Sequence, residues 1–66
     1  MKIIINGTTQ HLPSIKSLLD IVNSYTKNPK HVITELNGTI IPSNAWAQTK
    51  LQDGDALELV SFVGGG

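Results

Sequence analysis

Two Asn-Gly dipeptides, Asn6-Gly7 and Asn37-Gly38, constrain this chain more than any other feature. Both residues of such a pair tolerate positive φ, which a two-residue hairpin turn demands. Each dipeptide lies between residues that favour strands, so each predicts an antiparallel hairpin. The stretch before Asn6 is rich in isoleucine. Strand alternation puts Met1, Ile3 and Ile5 toward a core and leaves Ile4 on the outer face with Lys2 and Asn6. A return strand is expected near Thr8–Leu12. Around the second turn, Val32 and Leu36 point inward, and Ile33 and Glu35 outward. Thr39-Ile40-Ile41 forms a short returning strand, stopped by Pro42.

Between the hairpins the period changes. Ile15, Leu18, Leu19, Val22 and Tyr25 recur at helical spacing, with Lys16, Asp20 and Asn23 toward water. Ser14 is the expected N-cap. Pro29 disfavours a helical Asn28 and marks the end of the pattern. Residues 42–50 read as irregular, with one helical turn near Ser43–Trp46 and Trp46 sealing the core. Leu51-Gln52-Asp53-Gly54-Asp55 reads as a turn. A last strand follows from Ala56 to about Phe62, with Leu57 and Leu59 toward the helix and Glu58, Val60 and Phe62 on the other face. The order is β-β-α-β-β-β, an α+β class in which one main helix covers one face of a mixed sheet of four or five strands. If the first and last strands are neighbours, Ile4, Val60 and Phe62 form an exposed apolar patch, a feature that often marks a partner site.

Composition narrows the function. Sixty-six residues make one small domain, with little material for a catalytic cleft as well as a core. Five lysines balance five acidic residues and arginine is absent, which disfavours nucleic acid as a partner. The acids Glu35, Asp53, Asp55 and Glu58 fall in the second half, so the C-terminal end is expected to be acidic and to face a basic partner surface. With no cysteine there is no disulfide or thiol nucleophile, and the cytoplasm is the expected compartment. No apolar run approaches membrane-spanning length. His11 and His31 are isolated, and Asp53-Gly54-Asp55 has too few oxygen ligands for a calcium loop. Asn6-Gly7-Thr8 and Asn37-Gly38-Thr39 match the glycosylation pattern but serve better as turns.

The chain ends Val63-Gly64-Gly65-Gly66. Glycines directly after a strand add nothing to packing. They are expected to form a flexible arm, thin enough to enter a narrow active site. The division is thus a domain over residues 1–63 and a tail over 64–66, with the Gly66 carboxylate as the reacting group.

With this tail, Leu36-Asn37-Gly38, the Pro42-to-Trp46 spacing, Leu51-Gln52-Asp53-Gly54-Asp55 and Phe62-Val63-Gly64-Gly65-Gly66 together resemble the ThiS family, the ubiquitin-like β-grasp sulfur carriers of thiamine biosynthesis. The resemblance covers nearly the whole chain; a third glycine, Gly64, precedes the usual pair. It implies that an adenylyltransferase of the ubiquitin-activating type uses ATP to adenylate Gly66. A cysteine desulfurase is the indirect sulfur source for a Gly66 thiocarboxylate, and thiazole synthase receives the sulfur. Gly64 and Gly65 would give the tail access, and Ile4, Val60 and Phe62 would dock partners. The carrier itself would bind no cofactor or metal and catalyse nothing. The small subunit of molybdopterin synthase, a protein modifier joined to lysine through Gly66, and a passive β-grasp interaction module are the alternatives.

Overall fold

A computed structural model describes residues 1–14 and 17–62. The expected Ile15 and Lys16 positions in the helical pattern, and the tail residues 63–66, lie outside the described residues.

The first Asn-Gly turn joins β1 (Lys2–Ile5) to β2 (Thr8–His11), and the second joins β3 (Val32–Leu36) to β4 (Thr39–Ile41). Asn6 and Asn37 have φ of 50° and 51°, followed by Gly7 at 81° and Gly38 at 88°. This double left-handed step is what the dipeptide permits and other residues resist. Helix α1 (Leu18–Tyr25) lies between the hairpins, and β5 (Ala56–Ser61) closes the chain's described part. The strand order is β2-β1-β5-β3-β4. β1 and β5 run parallel, and the other neighbours are antiparallel. Joining the first and last strands in parallel near the middle of a mixed five-stranded sheet, with one main helix across it, makes this a ubiquitin-like β-grasp.

The core lies between the helix and one sheet face. Ile3, Val32, Leu57 and Leu59 project from the sheet to meet Leu18, Ile21 and Val22 of α1. Trp46 and Leu51 close the side from the long connection between β4 and β5. Thr34 is wholly buried, and its hydroxyl donates to the Ile41 carbonyl at 3.2 Å. Trp46 Nε1 donates to that same carbonyl at 2.9 Å. One acceptor therefore satisfies two buried donors, and a polar side chain costs the core little.

Several local expectations change. The cap of α1 is Ser17, not Ser14: Ser17 Oγ accepts from the Asp20 amide at 3.3 Å. Ser17 is followed three residues later by an acid, the spacing of a reciprocal cap, and that signal was available. Ile21, absent from the expected stripe, is buried, whereas Tyr25 is 47% exposed. Leu51 leaves the turn assigned to it and enters the core: the 3₁₀ segment at Ser43–Gln48 packs against α1, and just before Leu51 the Leu18 amide donates to the Thr49 carbonyl at 2.8 Å. The turn itself begins at Gln52, whose amide donates to Asp55 Oδ2 at 2.7 Å.

Both turn asparagines also act at a distance. Asn6 Oδ1 accepts from the Leu59 amide at 2.8 Å, and Asn6 Nδ2 donates to the Leu59 carbonyl at 3.2 Å and to the Tyr25 hydroxyl at 2.9 Å. Its side chain thus pairs with β5 as a further strand residue would. Asn37 Oδ1 accepts from the Ala56 amide at 3.0 Å, and its own amide donates to the Ala56 carbonyl at 2.8 Å. Central strand β5 is held from both sides by the turns of the two hairpins.

Replacing Asn6 with Ala leaves the part-buried Leu59 amide unpaired. The expected loss is about 1–3 kcal/mol, read from the urea denaturation midpoint. At Gly38 an added Cβ meets nothing within 4 Å. Gly38→Ala is therefore expected to cost only the left-handed backbone term, about 1–2 kcal/mol, in the same measurement.

Candidate functional site

The glycines assigned to chemistry, Gly64, Gly65 and Gly66, lie outside the described residues, so the describable part of the site is the surface from which the tail departs. β5 ends at Ser61, and Phe62 follows with its amide donating to the His31 carbonyl at 2.8 Å. This extends the β3–β5 ladder by one pair. The two rings sit side by side, with centroids 5.8 Å apart and planes tilted by 41°. Phe62 also lines a cleft of about 530 Å³ with Leu19, Lys30, Val32, Ile33 and Trp46.

The expected docking residues do not form one cluster. Val60 is 54% exposed and Phe62 is 42% exposed. Ile4 is half-buried. It lies on the same face, but the β1–β5 register sets it beside Ala56, the first residue of β5. Glu58 then separates it from Val60 along the strand. The neighbour of Val60 is instead Ile33 on β3, which is 45% exposed. Ile40 on β4 is 62% exposed and pairs with Glu35. The apolar patch next to the tail's root is therefore Ile33, Val60 and Phe62, with Ile40 diagonal to it. Alternation alone placed Ile33 outward; pairing it with Val60 required the strand register, which no local pattern carries.

The expected acidic tail end is also corrected. Asp53 and Asp55 precede β5 and lie at the pole opposite Phe62, about 20 Å away along a six-residue strand. They are engaged locally. Asp53 Oδ1 accepts from the Lys2 amide at 2.6 Å, and Asp55 Oδ1 accepts from Asn37 Nδ2 at 3.0 Å. What flanks Phe62 is the Pro29–His31 turn, with Lys30. The remaining acids, Glu35 and Glu58, are directly opposite each other in mid-sheet.

Among the described residues, no group of three or more His, Asp or Glu side chains converges as a metal site would require. His11 pairs with Lys2 at the β2 edge, while His31 abuts Phe62. No described helix is long and apolar enough to cross a membrane. The described surface offers an exposed apolar patch beside the end of β5.

Comparison with known proteins agrees with this geometry. The ThiS family profile matches residues 3–66. The sulfur carrier protein ThiS of Bacillus subtilis is 40% identical over 50 residues, covering 76% of each chain. A protein of Paramagnetospirillum magneticum named thiazole synthase is 33% identical over 66 residues, which is all of this chain and 20% of that one. The crystal structure of the thiamine biosynthesis protein ThiS from Geobacter metallireducens superposes with a TM-score of 0.85 at 28% identity, covering all of both chains. A β-grasp sheet order, a family match that reaches the final glycine, and full-length structural likeness make this chain a member of the ThiS family.

Proposed function

We propose that this chain carries sulfur for thiamine thiazole synthesis on the carboxylate of Gly66. The observation that carries the reading is that the family match runs to residue 66, through all three terminal glycines. A passive interaction module would have no use for that stretch.

The chemistry follows from the leaving group. A carboxylate resists substitution at its carbonyl carbon because it would have to expel oxide. Attack of the Gly66 carboxylate on the α-phosphorus of ATP forms an acyl-adenylate and releases pyrophosphate. A persulfide sulfur then displaces AMP to give an acyl disulfide; a thiol attacks the sulfur that belongs to the donor, forming a disulfide with it and leaving the Gly66 thiocarboxylate. The sulfur originates from cysteine through a desulfurase, and the thiocarboxylate passes it to thiazole synthase. All catalytic groups, and the ATP site, belong to the partner enzymes. The carrier contributes a terminus that two active sites can accept in turn. The Paramagnetospirillum relative supports thiazole synthase as one partner, since a protein of that name contains a segment similar to this whole chain.

Intact mass spectrometry tests the reading. After incubation with ATP, cysteine, a desulfurase and an activating enzyme proven on another carrier, one oxygen at Gly66 is expected to be replaced by sulfur. Thiazole synthase with its substrates should then remove it. No replacement would overturn the proposal, and a thiocarboxylate that thiazole synthase cannot consume would move the chain to another sulfur pathway. Gly65→Val is expected to lower the loading rate by about 100-fold, the scale of a roughly 1 Å misplacement at a reacting centre, with the melting temperature unchanged.

A further inference from the structure

Of the five asparagines, two precede a glycine, Asn6 and Asn37. An asparagine in that position is open to spontaneous loss of its side-chain amide. The next backbone nitrogen attacks the side-chain carbonyl carbon, and a residue without a Cβ lets it approach. Asn28 precedes Pro29, whose nitrogen has no proton to give up. Asn23 and Asn44 precede residues with side chains and lie in helical segments. The chemistry therefore falls on the two turns. A Cβ built on either Gly7 or Gly38 meets nothing within 4 Å, so water reaches both turns.

The fold restrains these two asparagines unequally. To react, the side-chain amide must leave its partners and turn toward the following nitrogen. Asn6 would have to break its two bonds to Leu59, at 2.8 and 3.2 Å and part-buried, and its bond to the Tyr25 hydroxyl at 2.9 Å. Asn37 is held by two side-chain bonds: Oδ1 accepts from the Ala56 amide at 3.0 Å, and Nδ2 donates to Asp55 Oδ1 at 3.0 Å. Both of these are exposed, where water competes for the same groups. Opening requires only that the β3–β4 turn part from the start of β5, a local event rather than a global one.

We propose that Asn37 is a site of spontaneous covalent modification, held off by its clamp on β5, and that its conversion unfastens the start of that strand. The Gly38 nitrogen bonds to the Asn37 side-chain carbonyl carbon and loses its proton. Nδ2 leaves as ammonia, and a five-membered imide closes. Water then opens the ring. Attack at the side-chain carbonyl gives an aspartate, and attack at the backbone carbonyl gives an isoaspartate, through whose side chain the backbone then runs. The balance is amide plus water to carboxylate plus ammonium, with no change of oxidation state. In the aspartate product, a carboxylate oxygen replaces the donor that faced Asp55 Oδ1, so a hydrogen bond becomes a contact between like charges. The isoaspartate adds a backbone carbon to a two-residue turn set by φ of 51° and 88°. This inference stands apart from the carrier reading.

The test incubates the full chain in mildly alkaline buffer, folded and in urea, and follows the mass gain of amide-to-acid conversion, placed by fragmentation. Conversion at Asn37 is expected to be about tenfold or more slower in the folded chain than in urea, the scale of two exposed hydrogen bonds. Asn6 in the same folded molecules should be slower by about another tenfold, for its third bond and partial burial. Asp55→Ala removes the acceptor of Asn37 Nδ2 and is expected to speed conversion at Asn37 alone. Asn6 is the internal control, since global loosening would speed both. Asn37→Asp, standing in for the product, should lower the melting temperature, and adding Asp55→Asn should restore most of the loss by returning a donor to the pair. Equal rates at Asn37 folded and in urea would overturn the clamp, as would Asp55→Ala leaving Asn37 unchanged or speeding both sites alike. Conversion of Asn6 ahead of Asn37, or none at Asn37 in the folded chain, would overturn the assignment of the site.

Discussion

Strand β5 is held by two asparagine side chains, and the rest of the molecule is arranged around that hold. A chain of 66 residues buries a small core. The hydrogen bonds that fix its central strand therefore matter more than in a larger domain. Asn6 reaches Leu59 across 53 residues of sequence, and Asn37 reaches Ala56 across 19. Each is already committed to a left-handed turn, so one residue both reverses a hairpin and fastens that hairpin to β5. The tail-bearing strand cannot slide without breaking both attachments. The bond spanning 53 residues also makes the sheet centre a non-local closure, the kind of contact that slows folding.

Much of this was legible because local chemistry and tertiary structure agree at particular residues. Asn6-Gly7 and Asn37-Gly38 announced both hairpins, and the alternation of Leu57 and Leu59 against Glu58 and Val60 announced the faces of β5. Trp46 met its expected place because the chain's one tryptophan brings a large apolar area that a small core can use. The failures have a common cause. Ser17, Ile21 and Leu51 depend on where an element starts or how a connection turns back, which periodicity does not mark; of the three, Ser17 carried a separate signal in its spacing to Asp20. The strand-pairing role of the Asn6 side chain was invisible for another reason: a turn signal says nothing about what the amide of the same residue reaches.

The surface part of the site was not legible in the sequence. Three glycines after a strand led to the expectation of a tail suited to access, and the family match includes them. Grouping Ile4 with Val60 failed because a parallel pairing sets Ile4 level with Ala56, at the far end of β5. The acidic second half likewise divided in space. Asp53 and Asp55 accept backbone or side-chain N–H groups at one pole, while Glu35 and Glu58 meet in mid-sheet. Net charge along the sequence describes a surface only after the strands are placed.

The parallel pairing of β1 with β5 has a consequence for how such a domain is combined with others. Because the two strands run in the same direction, residue 1 lies at the pole from which β5 starts, and Phe62 lies at the pole where it ends. The Met1 amino group is tied to the Leu12 carbonyl at 2.9 Å on that first pole. Polypeptide joined ahead of Met1 would extend away from the Phe62 pole and leave the approach to it clear. The topology thus sets the start of β1 and the end of β5 at opposite poles of the domain.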